Sequence, residues 1–546
     1  MKYAFASMLV LAVALSLALP TFAIPAPAFR TVALLGGQAP GLPSGANFQG
    51  FYTPSINNHG EVAFTGILSL QGGVTNSDNS GIWSEGAGPL AVLAREGDLA
   101  PGMPVTTPYR DFGRVLPNIS NSGDVAWRSI EGDGIWSGKV GSVNLIARTG
   151  MQAPGLPTDV SLSGFFDPLI NAQGEVAFRS ALSGASVNAT NNQAIWSTAS
   201  GSLLPVVRKG DPTQSATGNS NFGALWNTKL NDAGQVAVSA DLTTIETGTI
   251  PESGLWLSGA GPLNPIARDF DPAPGGPAGS QFNIGMSVDL SLNSAGQIAF
   301  RASLRPSVPA GVDSTNDQGI WTSGGGSLSL LAREGDQAPD TPAGAKFAFF
   351  NSPRLSNGGA ISFLGELQSN AALGINSTND AGIWSDGSGS VQLVAREGDQ
   401  APGMPMGALF SDLNGRASVS FASNSAGHVA FVANVIGGGT TSADNRGLWV
   451  QDENGNLRLV LRRGDAIEVA PGDERIVSFF ELSTRTGGGE GLARGFNDNY
   501  QLALYITFTN NTSGIFVTQV IVPEPAAGVL LMLALAGVLT RRERRG

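Results

Sequence analysis

Asn57-Asn58-His59-Gly60-Glu61-Val62-Ala63-Phe64, then Gly81-Ile82-Trp83, then Ala94-Arg95-Glu96-Gly97-Asp98 and Ala100-Pro101-Gly102, is the stretch that decides the fold. The succession Asn-x-x-Gly-x-x-Ala-Phe, Gly-Ile-Trp and Arg-x-Gly-Asp, or a decayed form of it, recurs eight times along the 546 residues. Self-similarity with a period near sixty residues marks a repeat architecture and takes precedence over local propensity. In this first copy Ser55-Ile56-Asn57 begins an extended segment, and Asn58-His59-Gly60 is a turn with a glycine free to take positive φ. Glu61 to Leu68 reads as a strand with Val62 and Phe64 on one face and Ala63 on the other. After a loop from Gln71 to Ser80, Ile82-Trp83 opens a third strand, Glu85 to Gly88 turns, and Leu90 to Ala94 forms a fourth. Four short antiparallel strands per unit is the content of one propeller blade.

The spacing separates frame from loop. Trp83 to Arg95 spans twelve residues, as do Trp136 to Arg148, Trp196 to Arg208, Trp256 to Arg268, Trp321 to Arg333 and Trp384 to Arg396; Trp449 to Arg462 spans thirteen. The gap before Gly-Ile-Trp is not held in this way. It runs only from Arg128 to Asp133 in the second unit but from Arg301 to Gln318 in the fifth. A constant hairpin beside a variable loop predicts a rigid frame with an adaptable rim.

The best copies of the motif carry Gly60 and Phe64, Gly174 and Phe178, Gly296 and Phe300, and Gly427 and Phe431. The second unit puts Ser120 at the Asn position and Trp127 at the Phe position, and the sixth reads Ser356-Asn357-Gly358-Gly359-Ala360-Ile361-Ser362-Phe363. The last unit departs most, with Asn497, Tyr500, Ala503 and Leu504 and then Gly514-Ile515-Phe516, and it lacks a fourth strand. At the opposite end, Thr31 to Leu35 followed by Ala39-Pro40-Gly41 resembles a fourth strand with no preceding three. Complementary ends predict that this orphan strand completes the last blade. The expected fold is therefore an all-β propeller over residues 24–521, with eight four-stranded blades closed by the N-terminal strand. The second choice is seven blades plus a degenerate cap. An open solenoid fits less well, because solenoid coils are shorter and open arrays need polar caps.

Both ends carry addresses. Lys2, the apolar run Ala4 to Leu19 and the small-residue site Thr21-Phe22-Ala23 predict a signal peptide over residues 1–23. Residues 522–546 hold Pro523-Glu524-Pro525, an apolar stretch from Ala526 to Thr540 and the cluster Arg541-Arg542-Glu543-Arg544-Arg545. As a helix this stretch reaches roughly 22 Å, a short transmembrane span whose basic end stays cytoplasmic. In order and position, Pro523, Glu524, Pro525, the apolar helix, Arg541 and Arg542 resemble the PEP-CTERM sorting signal of Gram-negative bacteria. That resemblance implies recognition by an exosortase and delivery to the cell surface or extracellular matrix, with transient anchoring by the C-terminal helix. The repeat region resembles the choice-of-anchor tandem repeat proteins containing Asn-x-x-Gly-x-x-Ala-Phe, a group with no assigned activity.

With no cysteines, neither disulfides nor thiolate metal sites stabilise an exported fold, so a large core must. Formal charge is −12, and without Lys2 and the tail after Pro525 there remain 26 basic against 42 acidic residues, a net of −16. That balance argues against nucleic acid.

Each repeated residue carries a structural and a functional reading. The series Trp83, Trp196, Trp321, Trp384 and Trp449 reads as blade core before it reads as a ring of sugar platforms. Arg95 with Asp98, Arg333 with Asp336 and Arg396 with Asp399 read as charge-assisted pins of the exit turn before an anion-binding face. The loops are rich in Asn and Asp, at Thr75 to Asn79, Ser314 to Asp317, Ser377 to Asp380 and Ser442 to Asn445. Thr315-x-Asp317-x-Gly319-x-Trp321 and Thr378-x-Asp380-x-Gly382-x-Trp384 resemble the Asp-box turn of sialidase-like propellers, shortened by one residue. Calcium, which wants clustered oxygens, is the cation such loops would take, yet none has the carboxylate count of a committed site. Turn chemistry is the better reading, and no cofactor is expected. Catalysis has thin support. The chain has two histidines, His59 and His428, both beside the turn glycine of a repeat, and no Gly-x-Ser-x-Gly or His-Glu-x-x-His motif. The expectation is an exported, surface-sorted, non-catalytic protein for adhesion or association with extracellular polysaccharide. The alternatives are a propeller glycan hydrolase or lyase with loop carboxylates, and a purely structural surface component.

Overall fold

The structure is a computed structural model that describes residues 28–520, apart from 105–106, 114, 130–133, 216–217, 245–251, 260–262, 286–287, 289, 352, 414–419, 484–490 and 493. The signal sequence over 1–23 and the sorting tail, with Pro523, Glu524, Pro525, Arg541 and Arg542, lie outside the described residues.

Residues 28–520 form eight antiparallel sheets, one per repeat, and so realise the eight-bladed propeller. Blade 1 is representative. Its second, third and outer strands are Val62–Leu68, Ser80–Ser84 and Ala91–Arg95, with Phe64 opposite Trp83 and Gly81 opposite Arg95. Its inner strand comes in two pieces, Phe48–Phe51 and Ser55–Ile56, both paired to Val62–Leu68. The four-stranded expectation therefore needs one refinement: most sheets hold five segments because the inner strand is broken. Proline is a physical cause. Pro54, Pro168 and Pro353 stand in the gaps of blades 1, 3 and 6, and proline has no N–H to continue a ladder. Blade 4 has Trp226-Asn227-Thr228 at the corresponding place, and its inner strand runs unbroken as Gly218–Leu230.

Closure uses both ends of the chain. Phe29–Leu34 pairs antiparallel with Ser513–Gln519, so the N-terminal strand is the outer strand of blade 8. Arg30 then reaches blade 1, bonding Glu85 at 2.5 Å and the Gly60 carbonyl at 2.8 Å.

Blade stacking explains the letters of the motif. Phe64 and Trp83 lie stacked at 6.4 Å on the face toward blade 8, in one core with Ala503, Ile515 and Val517. Ala63, Ile82 and Ala94 line the opposite face and receive Trp127, Trp136 and Tyr109 of blade 2. Ala-Phe thus alternates a small residue for the neighbour's aromatics with an aromatic for the other neighbour. The glycine of Gly-Ile-Trp is dictated by the indole folding back over it: a Cβ on Gly319 would sit 2.8 Å from the Trp321 ring. Trp83, Trp196, Trp321, Trp384 and Trp449 are all fully buried. Truncating such a residue costs about 3–5 kcal/mol.

One feature of blade 8 departs from the repeat. Between Leu482 and Phe496 the sequence runs thirteen residues, many of them glycine, where blade 1 has three residues between strand pieces. The Gly491 carbonyl accepts Ile170 N–H of blade 3 at 3.0 Å and Asn118 Nδ2 of blade 2 at 3.3 Å; the Arg494 carbonyl accepts Ile56 N–H of blade 1 at 2.9 Å. Leu492 packs on the core shared by Leu169 and Leu230, of blades 3 and 4. In a ring of eight, blade 4 is opposite blade 8, so Leu492 reaches across the axis.

Candidate functional site

The repeat asparagine is a clasp between blades. Asn231, wholly buried, accepts the N–H groups of Ala233 and Gln235 on Oδ1 at 3.1 and 2.8 Å. Its Nδ2 donates to Gln235 Oε1 at 2.8 Å and to the Asn293 carbonyl of the next blade at 3.0 Å. Asn57 bonds in the same way to the Ser120 carbonyl, Asn171 to Asn231, Asn293 to Ser356 and Asn497 to Asn57. The turn glycines complete the device in the left-handed region, with φ of 77° at Gly60, 83° at Gly174, 77° at Gly296 and 86° at Gly427. Sequence reasoning took this motif for a turn and missed the ring. The usable signal was the Glu or Gln four residues after the Asn, at Glu61, Glu175, Gln235, Gln297 and Gln501.

A second clasp joins five of the connectors to the following blade. The indole N–H groups of Trp83, Trp136, Trp321, Trp384 and Trp449 donate to the carbonyls of Pro40, Pro101, Pro274, Pro339 and Pro402, at 2.9–3.2 Å. Trp196 instead bonds Ser180 Oγ at 2.9 Å. The proline of the Ala-Pro segment is thus the anchor point for the indole one blade on.

The Arg and Asp pairs divide. Arg333 meets Asp336 at 3.5 Å and Arg396 meets Asp399 at 3.1 Å. Arg95 does not pair with Asp98: its Nη2 lies 2.7 Å from Asp78 Oδ2 and its Nε donates to the Asp78 carbonyl at 2.9 Å. A carboxylate in the loop of the same blade captures the guanidinium, whereas blades 5 and 6 place neutral Asn316 and Asn379 at that loop position. Burial then raises the Asp98 carboxyl above its ordinary value, partly offset by Arg95.

The variable loops sit on the face of the connectors, exposed, with many of their polar atoms bonded within the same loop. Asp313 Oδ1 accepts Thr315 N–H and Oγ1 at 2.9 and 2.6 Å, and Asn316 Oδ1 accepts Asp313 N–H at 3.1 Å. Asn376, Thr378 and Asn379 repeat this in blade 6, and Asn188, Thr190 and Asn191 in blade 3. These are Asx turns, and they occupy oxygens that a calcium ion would need. Among the described residues no group of three His, Asp or Glu side chains is gathered for a metal.

The same face holds buried carboxyls. Burial, reinforced by the nearby Asp317, pushes Glu334 up to about 7, though Gln318 N–H donates to it at 3.3 Å. Glu397 is raised by burial too, and accepts Leu413 N–H of the next blade at 2.7 Å.

Among the described residues the opposite face carries clefts between neighbouring blades, of which two concern the motif. One, of about 670 Å³ between blades 3 and 4, is lined by Ala199, Ser200, Gly234 and Gln235 among others. The other, of about 590 Å³ between blades 6 and 7, holds His428, Gln451, Glu453 and Asn454. His428 stands where the repeat has Glu or Gln, and its Nδ1 shares a 2.5 Å hydrogen bond with the Tyr500 hydroxyl of blade 8. Tyr500 in turn occupies the place of the turn glycine with φ of 57°, a conformation costly for an aromatic residue. Burial holds the His428 imidazole below its ordinary value, against the opposing charge of Asp452.

A family model described as "Family of unknown function (DUF7453)" matches residues 2–132 and 117–529. None of the curated proteins matches the sequence. Among solved structures the chain is similar to the acylaminoacyl peptidase of Pyrococcus horikoshii, with 11% identity, a TM-score of 0.34 and coverage of 76% of this chain and 53% of that one. It is also similar to the Cps50 (Swd1) β-propeller domain of Myceliophteria thermophila, with 10% identity, a TM-score of 0.30 and coverage of 76% and 99%. A PL25 ulvan lyase bound to a GlcA-Rha3S saccharide matches at 10% identity and a TM-score of 0.30, with coverage of 90% and 95%. The chain spans about half the length of the peptidase.

Proposed function

We propose, for a chain that belongs to the DUF7453 family, that it is an exported, surface-sorted and non-catalytic propeller that associates with extracellular polysaccharide. One observation carries the reading: the repeated residues are occupied in holding the ring, while the loops between second and third strands differ in length and composition. The gap from Arg128 to Gly134 is short and that from Leu304 to Gln318 long, on hairpins otherwise matched in register. A constant frame with variable loops suits recognition by contact rather than one conserved chemistry. The address comes from the ends of the chain. Signal residues 1–23 direct export, and Pro523-Glu524-Pro525 with Arg541 and Arg542 present the tail to an exosortase.

A glycan array paired with hydrolysis assays on bacterial exopolysaccharide tests the binding half, and binding without product release is the expected result. Changing Pro523-Glu524-Pro525 to alanines tests the sorting half; unchanged surface delivery refutes it. The second reading, a glycan hydrolase or lyase, draws on the Asp317 and Glu334 pair, whose raised Glu334 carboxyl has the proton affinity of a general acid near neutrality. Release of saccharide products that stops in Glu334→Gln would replace the binding reading with this one.

A further inference from the structure

Two residues break the repeat at the seam of blades 7 and 8, and both breaks oppose stability. The turn glycine gives φ between 75° and 89° in blades 1 to 7, yet blade 8 places Tyr500 there at 57°. The acceptor four residues after the clasp asparagine is Gln235 in blade 4, Gln297 in blade 5 and Gln501 in blade 8, yet blade 7 has His428. Asn424 is fully buried, its Nδ2 makes no bond of the kind that Asn231 Nδ2 makes to the next blade, and its side chain lies beside the Tyr500 hydroxyl. Where a chain departs from its own consensus at a cost, in two residues that touch each other, function is the reading to test.

The two departures converge on one cleft. Tyr500 holds His428 Nδ1 at 2.5 Å and so fixes the ring, leaving Nε2 for the cleft that His428 lines. Around it stand Ser388, Gln392, Gln451, Glu453 and Asn454, with Leu393 and Leu457 supplying an apolar strip. Neutral donors and acceptors beside an apolar strip match the hydroxyl edge and C–H face of a sugar ring. Among the described residues no Lys or Arg lines the cleft and one carboxylate does, so an anionic sugar is disfavoured there. The cleft between blades 3 and 4 is an internal control of similar size. There the equivalent residue is Gln235, whose Oε1 is already taken by Asn231 at 2.8 Å.

We propose that the cleft between blades 6 and 7 is a binding site for a neutral saccharide, with His428 as its hydrogen-bonding centre and Tyr500 as the residue that positions it. This rests on the reading of the chain as a glycan-associating protein and names the site and sugar class.

The test returns the seam to consensus. His428→Gln and Tyr500→Gly each restore the residue that the other blades use, so both variants are expected to fold with melting temperatures equal to or above that of the parent. Binding is measured by calorimetry with cellotetraose, maltotetraose and β-1,4-galactotetraose, and with trigalacturonate as the charged control. The expected result is binding of at least one neutral tetrasaccharide, weakened tenfold or more in both variants and unaltered in Ser200→Trp, which fills the cleft of blades 3 and 4. Unaltered binding in both reverted variants overturns the site while leaving glycan association standing. Preference for the uronate overturns the sugar class. Failure of the full chain to bind any glycan, on the array or in calorimetry, overturns both this site and the reading beneath it.

Discussion

Asn231→Ala removes one clasp of the inner ring without touching a loop. The Asn231 amide makes four hydrogen bonds: two accepted from Ala233 and Gln235 N–H, and two donated to Gln235 Oε1 and the Asn293 carbonyl. The Asn293 carbonyl is the most costly to strand, since Asn231 and Asn293 are both fully buried; the Gln235 side chain reaches solvent and recovers a partner. With about 1–3 kcal/mol for a stranded buried group and less for those at the margin, the loss is about 3–5 kcal/mol. Asn231→Ser is the graded control that the chain itself supplies. In blades 2 and 6, Ser120 Oγ accepts Asp124 N–H at 3.1 Å and Ser356 Oγ accepts Ala360 N–H at 2.9 Å. Serine thus keeps the local bond and forgoes the bond to the next blade, which places its cost at about half that of alanine. Urea unfolding followed by tryptophan fluorescence reads both, as a shift in midpoint at constant slope. An alanine variant within about 0.5 kcal/mol of the parent, the scatter of an ordinary surface change, would show that the ring contributes nothing. Equal losses for serine and alanine would place the whole effect in the bond to the next blade.

Deleting residues 30–43 removes the outer strand of blade 8 and its bridge from Arg30 to Glu85, and the cooperative melting transition of the whole propeller should be lost; a frayed terminus with an unchanged transition refutes closure by this strand. Gly491→Val places a β-branched residue at φ of 72° with its Cβ 3.0 Å from Leu169, so destabilisation of at least about 2 kcal/mol is expected by urea titration. Glu334 gives a pH signature of known sign. Its folded pKa is raised, so its contribution to stability is complete below the unfolded carboxylate value and is lost as pH climbs through about 7. Parent minus Glu334→Gln should therefore fall by about 1–3 kcal/mol between pH 4 and pH 8, and a flat difference would mean that Glu334 titrates as a free carboxylate.

Much of the frame was legible because its cause is local and repeated. A strand alternates faces every residue, so Val62-Ala63-Phe64 announces its two sides, and the twelve-residue step from Trp83 to Arg95 measures one hairpin. The fate of Arg95 was not legible, because Asp98 is far the nearer acid along the chain and only the folded loop brings the more distant Asp78 to 2.7 Å. The site at blades 6 and 7 was hidden for a related reason. His428 and Tyr500 were visible as oddities of two separate copies, 72 residues apart, and nothing in either copy says that they touch.

The repeat, its period and the complementary ends determined from sequence alone that this chain is built of propeller blades, with a closed ring of eight as the first choice. Those features rest on short-range rules of strand alternation and turn chemistry that each copy satisfies by itself. Only the tertiary structure decided what each copy does for the next. The asparagine that reads as part of a turn donates to a carbonyl about sixty residues onward, and Gly491 and Leu492 reach across the axis to blades 3 and 4. Hydrogen-bond donors choose partners by proximity in space, and proximity across a ring is set when the ring closes.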